Sequence, residues 1–279
     1  MSASAIDFAS GKGHRDENFP VASRLIAPRF RAPVMAFYRF ARAADDIADH
    51  STASETEKLA GLAAMRAGLD GAGAEEATAL RAVMAEHGLD PAHAHDLLTA
   101  FERDVTVRRY ADWDSLVDYC HYSAMPVGRY VLDVHGEDRA CWPASDALCT
   151  ALQVINHLQD CSKDYRALDR VYLPAEMLAE TGARVEDLAA AAASPALLAA
   201  ISLAAERTRV LLAESAPFAR MIRDRRLAAE VAVIQRLAES LVARLLTRDP
   251  LSQRVHHGKA EAGLLALGAI AGHWLGWRR

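Results

Sequence analysis

Glycine, proline, lysine and cysteine are all scarce in this 279-residue chain, and each scarcity narrows what it can be. It holds 15 Gly and 10 Pro, and no run of alternating β-branched residues exceeds a few positions, so strands are not expected and helices are. Cys120, Cys141, Cys149 and Cys161 form no CxxC pair and have no His at zinc spacing. With an N-terminus, Met-Ser-Ala-Ser-Ala-Ile-Asp, that does not read as a signal peptide, they fit a reduced cytoplasmic setting. Lys occurs only at positions 12, 58, 163 and 259, so Arg supplies nearly all positive charge. The formal net charge of −5 leaves no basic face to neutralise phosphates along a duplex, which excludes nucleic acid as the main partner. No Gly-rich nucleotide loop is recognisable. The expected class is all-α, a single domain with a large core.

What is present is a succession of Ala- and Leu-rich helical segments. The polar stretch to about Pro20 reads as a loop. PVMAFYRFARAADDIADH, residues 33–50, puts Pro in its first turn and Val34, Phe37, Ala41 and Ala44 on one apolar face. Amphipathic helices follow near 54–69, 75–87 and 91–109, separated by Asp70-Gly71-Ala72-Gly73 and Gly88-Leu89-Asp90-Pro91. Asp112 or Asp114 can cap the next helix, which Pro126-Val127-Gly128 should kink or break after Tyr119-Cys120-His121-Tyr122. Ser145 can cap a long helix through Asp164, and two further helices span 195–216 and 218–248. The segment 260–279 is apolar with basic flanks, yet too short and Gly-rich for a span of roughly 20 apolar residues. A tail docked on the core and a helix lying on a membrane surface are both open readings of it, the second suited by its terminal Trp and Arg.

Two carboxylate-rich stretches carry the chemistry. Residues four apart on a helix share a face about 6 Å apart along the axis. Asp45 and Asp49, with Asp46 beside them, therefore form one acidic face, and Asn156, Asp160 and Asp164 form another. For the first, the ordinary reading is a solvated helix end with Arg42 paired to Asp46, worth about 0.3–0.5 kcal/mol. Against it, carboxylates at a helix C-terminus oppose the macrodipole and call for a compensating cation. Two such faces turned toward each other would make a cage of oxygen ligands. Mg²⁺ takes one or two carboxylates, keeps waters and completes its shell with phosphate oxygens, so the implied substrate is a diphosphate.

These residues resemble the signatures of the squalene/phytoene synthases. The likeness runs from about Asn18 to Tyr172 and more loosely to about 248. Phe37-Tyr38-Arg39-Phe40-Ala41-Arg42-Ala43-Ala44-Asp45-Asp46-Ile47-Ala48-Asp49 is similar to the family's Arg followed by DxxxD, and Tyr119 to Gly128 to a segment that lines its prenyl cavity. Gln153, Asn156, Asp160, Asp164, Arg170, Val171 and Tyr172 match its second acidic signature and the R-[IV]-Y that follows. Two departures stand out. Glu17-Asn18-Phe19-Pro20-Val21-Ala22-Ser23 lacks the Lys that condensing members carry near the N-terminus, and Gln159 stands where they have Arg. Each removes a cation from a site that would otherwise hold two diphosphates.

The resemblance implies an isoprenoid-synthase fold around a prenyl cavity, with a core at about 18–248 and a tail at 250–279. It implies Mg²⁺ held by Asp45, Asp46, Asp49, Asn156, Asp160 and Asp164, catalysis by Arg42, Asp45, Asp49, Asp160 and Asp164, and substrate contacts from Asn18, Phe19, Phe37, Tyr38, Arg42, Tyr119, Tyr122, Gln153 and Tyr172. For each aromatic alone, core packing is the competing reading. Both departures resemble the hopanoid branch, in which presqualene diphosphate ionises and water captures the allylic cation. His121, Tyr122 and Gln153 are the candidates to position that water, whereas His157 points about 100° from Asn156 and reads as a surface or packing residue. The alternatives are head-to-head condensation of two prenyl diphosphates and, from another class, an inactive assembly factor. The implied partners are the prenyl diphosphate, a membrane surface on its inner face, and neighbouring enzymes of the hopanoid pathway.

Overall fold

The structure, a computed structural model, describes residues 26–276, and the opening loop to Pro20, Asn18 and Phe19 lie outside them. Among the described residues the regular elements are helices, with one isolated parallel bridge between Arg109 and Val171. They fall into two compact units, divided after Val107.

The first unit contains α1 (Pro28–Ala48), α2 (Glu55–Asp70), α3 (Glu75–His87) and α4 (Ala92–Thr106). Pro28, not Pro33, takes the first turn of α1, where a missing N–H costs nothing; Pro33 lies inside the helix. Val34, Phe37, Phe40, Ala44 and Ile47 are buried at helical spacing, while Ala41, expected on that face, is half-buried. Ser54 and Glu57 form a capping box that starts α2, and Gly71, at φ 119°, ends it in a conformation that residues with a Cβ avoid. Leu62 and Met65 of α2, Leu80 of α3 and Leu98 of α4 complete a closed core.

The second unit contains α5 (Trp113–Ser123), α6 (Met125–Val134), α7 (Trp142–Leu168), α8 (Ala175–Thr181), α9 (Pro195–Ser215), α10 (Phe218–Met221), α11 (Arg225–Leu245) and α12 (Lys259–Gly276). Asp112 caps α5 as expected, accepting from the Ser115 amide at 2.8 Å, and Pro126 sits in the first turn of α6 just past the break. Helix α7 is central, packing on α5, α6, α9 and α11.

Ser145 does not cap α7. It is buried inside that helix, where Gly128 of α6 approaches so closely that a Cβ there would lie 2.6 Å from the Ser145 hydroxyl and 2.5 Å from the Cys149 sulfur. The start of α7 instead follows a 3-10 turn, Arg139–Cys141, with Asp138 accepting from the Ala140 amide at 2.9 Å and Pro143 in the first helical turn. Arg129 fixes the same junction with a two-pronged grip on Asp146, at 2.9 and 2.6 Å. The helix expected over 218–248 is two helices, because Asp224 accepts from the amides of Arg226 and Leu227 and starts α11 afresh.

Candidate diphosphate and metal site

The first acidic motif occupies the last turns of α1. Arg42, one turn before it, bonds Asp46 at i+4 and reaches Asp45 at 2.8 Å. The ordinary pairing of Arg42 with Asp46 is thus present, and it extends to a second carboxylate. Asp45 keeps 34% of its side-chain surface, so a cation can reach it. Its carboxyl is nonetheless pushed up to about 7, first by burial and then by Asp49, with Arg42 opposing and Asp104 and Asp46 adding to the rise. A carboxylate raised by burial and by like charges is one that a divalent cation would return to its ionised form.

Asp104 was missed by motif reading. It is buried on α4 in register with His93, Leu97 and Ala100, the inward face of that helix. The signal was an acidic residue in a core position of an amphipathic repeat, which calls for a partner.

The second motif lies in the second half of α7. Asp160 meets exposed Lys163 at 3.8 Å, and Asn156 and Asp164 lie half-buried along the same stripe. Beside it stands a buried aromatic stack. His157 lies flat on Tyr172, ring centroids 3.5 Å apart, and Tyr119 and Tyr110 complete the cluster at 5.4–5.6 Å. The Gln153 amide donates to Nε2 of His157 at 3.1 Å. Burial, with Arg170 nearby, pushes His157 down to about 3, so it is neutral and able to accept that bond. The packing reading of His157 holds, and the surface reading does not.

Arg109 and Arg108 cross from the start of this unit to hold the end of α7. Arg109 bonds the carbonyl and, at 2.6 Å, the carboxylate of Asp169, while Arg108 donates to the Leu168 carbonyl at 2.9 Å. The Val171 amide returns a bond to the Arg108 carbonyl at 2.9 Å, which sets the Arg170-Val171-Tyr172 segment extended beside the motif.

The structure therefore brings Arg42, Asp45, Asp46 and Asp49 together, and Tyr119, Gln153 and Tyr172 together with His157. Phe37 is buried against Phe40, Tyr38 is half-buried on α1, and Tyr122 meets His121 edge-on at 5.0 Å. Tyr119 and Tyr172 are buried within the stack. Gln159 is buried, and among the described residues neither polar atom of its amide has a hydrogen-bond partner. A neutral amide there costs far less than an unpaired guanidinium would.

Among the described residues, no three His, Cys, Asp or Glu side chains gather into a ready metal cluster. The donor set still fits Mg²⁺, which needs few protein carboxylates because water and phosphate oxygens fill its shell. Asp45 and Asp49 on α1 of the first unit, and Asn156, Asp160 and Asp164 on α7 of the second, each present hard oxygens of the kind it takes.

Helical composition, the DxxxD of α1 and the acidic stripe of α7 define a class of diphosphate-handling helical enzymes. The squalene/phytoene synthase family model matches residues 13–261, and the chain belongs to that family. A solved squalene synthase from Alicyclobacillus acidocaldarius superposes with a TM-score of 0.71 at 32% identity, over 81% of this chain and 86% of that one, which places the chain in the isoprenoid-synthase fold. Within the family it is similar to the hydroxysqualene synthase of Zymomonas mobilis, 56% identical over 98% of this chain and 92% of the relative. It is also similar to that of Rhodopseudomonas palustris, 54% identical over 96% and 92%.

Proposed function

We propose that this chain is a hydroxysqualene synthase, converting presqualene diphosphate and water to hydroxysqualene and diphosphate. The observation that carries the reading is its identity above 50%, nearly end to end, with enzymes of that name. Gln159 agrees with it, since a buried neutral amide offers no fixed charge for a second diphosphate.

Asp45, Asp46, Asp49, Asn156, Asp160 and Asp164 are the proposed Mg²⁺ ligands. The bound ion would supply Lewis-acid neutralisation of the departing diphosphate. Arg42 holds the α1 carboxylates in register and offers a planar fork suited to phosphate oxygens. Phe37, Tyr38, Tyr119, Tyr122 and Tyr172, with Asn18 and Phe19, are the proposed contacts to the prenyl chains; an aromatic face beside a carbocation is worth about 0.5–2 kcal/mol. Gln153, held by neutral His157, is the proposed group that orients the captured water, its amide oxygen accepting a proton-side hydrogen bond.

Among the described residues no helix is long and apolar enough to cross a membrane. We place the enzyme in the cytoplasm, at the inner membrane face, where its apolar substrate and product and the neighbouring hopanoid enzymes would meet.

The test is incubation of purified protein with Mg²⁺ and either presqualene diphosphate or farnesyl diphosphate, in ¹⁸O-water. Hydroxysqualene carrying ¹⁸O, from presqualene diphosphate only, is expected. Consumption of farnesyl diphosphate alone would assign the condensation reaction instead, and inertness toward both would revive the inactive-member reading.

A further inference from the structure

Helix α12 carries one unbroken apolar stripe that is exposed among the described residues. Ala260, Leu264, Leu267, Ala271, Trp274 and Leu275 recur at spacings of three, four and one, the period of a single helix face. Leu264, Leu267 and Leu275 keep 71%, 67% and 68% of their surface. A contiguous apolar face of this kind marks an interaction surface.

The stripe is not the accident of a loose end. The opposite side of α12 packs on α11, where Glu261 pairs with Arg244. Arg244 also donates to the carbonyls of Val255 and His256 at 3.0 and 3.1 Å, and His257 meets the Ser240 hydroxyl at 3.0 Å. The connection into the helix is thereby tied down, with Val255 buried. The one acidic residue of α12, Glu261, is half-exposed but paired with Arg244, and no residue of the stripe itself is acidic.

The charge around the stripe selects its occupant. Leu246 to Arg279 holds five basic residues, Arg248, Arg254, Lys259, Arg278 and Arg279, against Asp249 and Glu261, in a chain whose total is −5. Basic residues thus precede and follow the apolar helix in sequence, and Trp277 joins Trp274 at its end. An apolar stripe with Trp and basic flanks is the composition of a helix lying in a lipid interface. A second copy of the chain fits less well. Eighteen residues make a helix about 27 Å long, and one face about 10 Å wide falls well short of the roughly 800 Å² per partner of a stable interface.

We propose that the outward face of α12 docks on a membrane containing anionic lipid, lying along the surface without crossing it. This gives the peripheral placement above a specific surface and lipid chemistry, and it does not depend on which reaction the enzyme performs.

The full-length protein is sedimented with vesicles of phosphatidylcholine alone or of phosphatidylcholine mixed with phosphatidylglycerol. Binding to the mixed vesicles is expected, weakened at high salt and reduced at least about tenfold in L264D/L267D. Quenching of tryptophan fluorescence by brominated lipid is expected to fall in Trp274→Phe, a variant that retains the aromatic bulk. Turnover of presqualene diphosphate presented in detergent should be unchanged in L264D/L267D, which separates docking from chemistry. Equal sedimentation of native protein and L264D/L267D would overturn the proposal, as would no binding to either vesicle. Self-association abolished by L264D/L267D without vesicle binding would overturn it in favour of a second copy. Vesicle binding by a protein inert toward presqualene diphosphate would sustain the docking and remove the catalytic reading.

Discussion

The acidic face of α1 and that of α7 use the same four-residue spacing but are built differently. On α1 the carboxylates come with their own cation, Arg42, which touches both Asp45 and Asp46, and they are crowded by Asp104 from the neighbouring helix. On α7, Asp160 has a loose contact with exposed Lys163, and order comes from beside the stripe, from the buried stack of His157, Tyr172, Tyr119 and Tyr110. One face is organised by charge and the other by packing. The proposed ligand chemistry can therefore fail in different ways: by loss of charge balance on α1, and by loss of carboxylates or of their support on α7.

Substitution separates the two. Asp160→Ala removes a proposed ligand; kcat/KM for presqualene diphosphate should fall by about 10³-fold or more, some 4 kcal/mol of transition-state stabilisation, with an unchanged helical circular dichroism spectrum. Unchanged turnover in that folded variant would sink the metal assignment. Arg42→Lys keeps the charge but not the planar fork that meets two carboxylates at once. Its kcat/KM should drop by about 10- to 100-fold, and a value within twofold of native would show that the α1 face needs only a point charge.

A smaller effect is expected behind the α1 face. Asp104→Asn removes one of the like charges that oppose ionisation of Asp45, so the site would be less crowded and less attractive to a cation. The Mg²⁺ concentration for half-maximal activity should rise about two- to fivefold with little change in kcat.

The packed side of α7 answers to pH rather than to metal. His157 is held near 3 by burial, whereas the unfolded chain takes a proton near 6.5. Above 6.5 the residue is neutral in both states and has no effect. As pH falls from 6.5 toward 3 only the unfolded state gains the proton, so stability declines by up to about 1.4 kcal/mol per pH unit from this group. His157→Phe keeps a flat ring on Tyr172 and cannot be protonated. Between pH 6.5 and 5 its urea-unfolding free energy should depend less steeply on pH than that of the native protein, and equal slopes would show that His157 is accessible to protons.

Much of this was legible in the chain itself because it depends on local spacing. Asp112 and the Gly71 break mark helix ends through contacts within a few residues, and the structure keeps both. The pairing of Arg42 with Asp46 is likewise an i,i+4 event. Ser145 misled because a small polar residue reads as a cap unless one knows that Gly128 will press another helix against it. The helix from 218 to 248 was read as continuous because its apolar period runs on past the point where Asp224 restarts it.

That the protein is helical, where most helices begin and end, and that its carboxylates lie on common faces all follow from contacts one helical turn apart, and so could be read from the chain. Tertiary structure alone decided that Asp104 crowds Asp45, that Arg108 and Arg109 hold the end of α7, that His157 is a neutral ring stacked on Tyr172, and which side of α12 is left outside. Those outcomes bring together residues far apart in the chain, and they are selected by what each side chain can bury, pair or leave in water once the helices have packed.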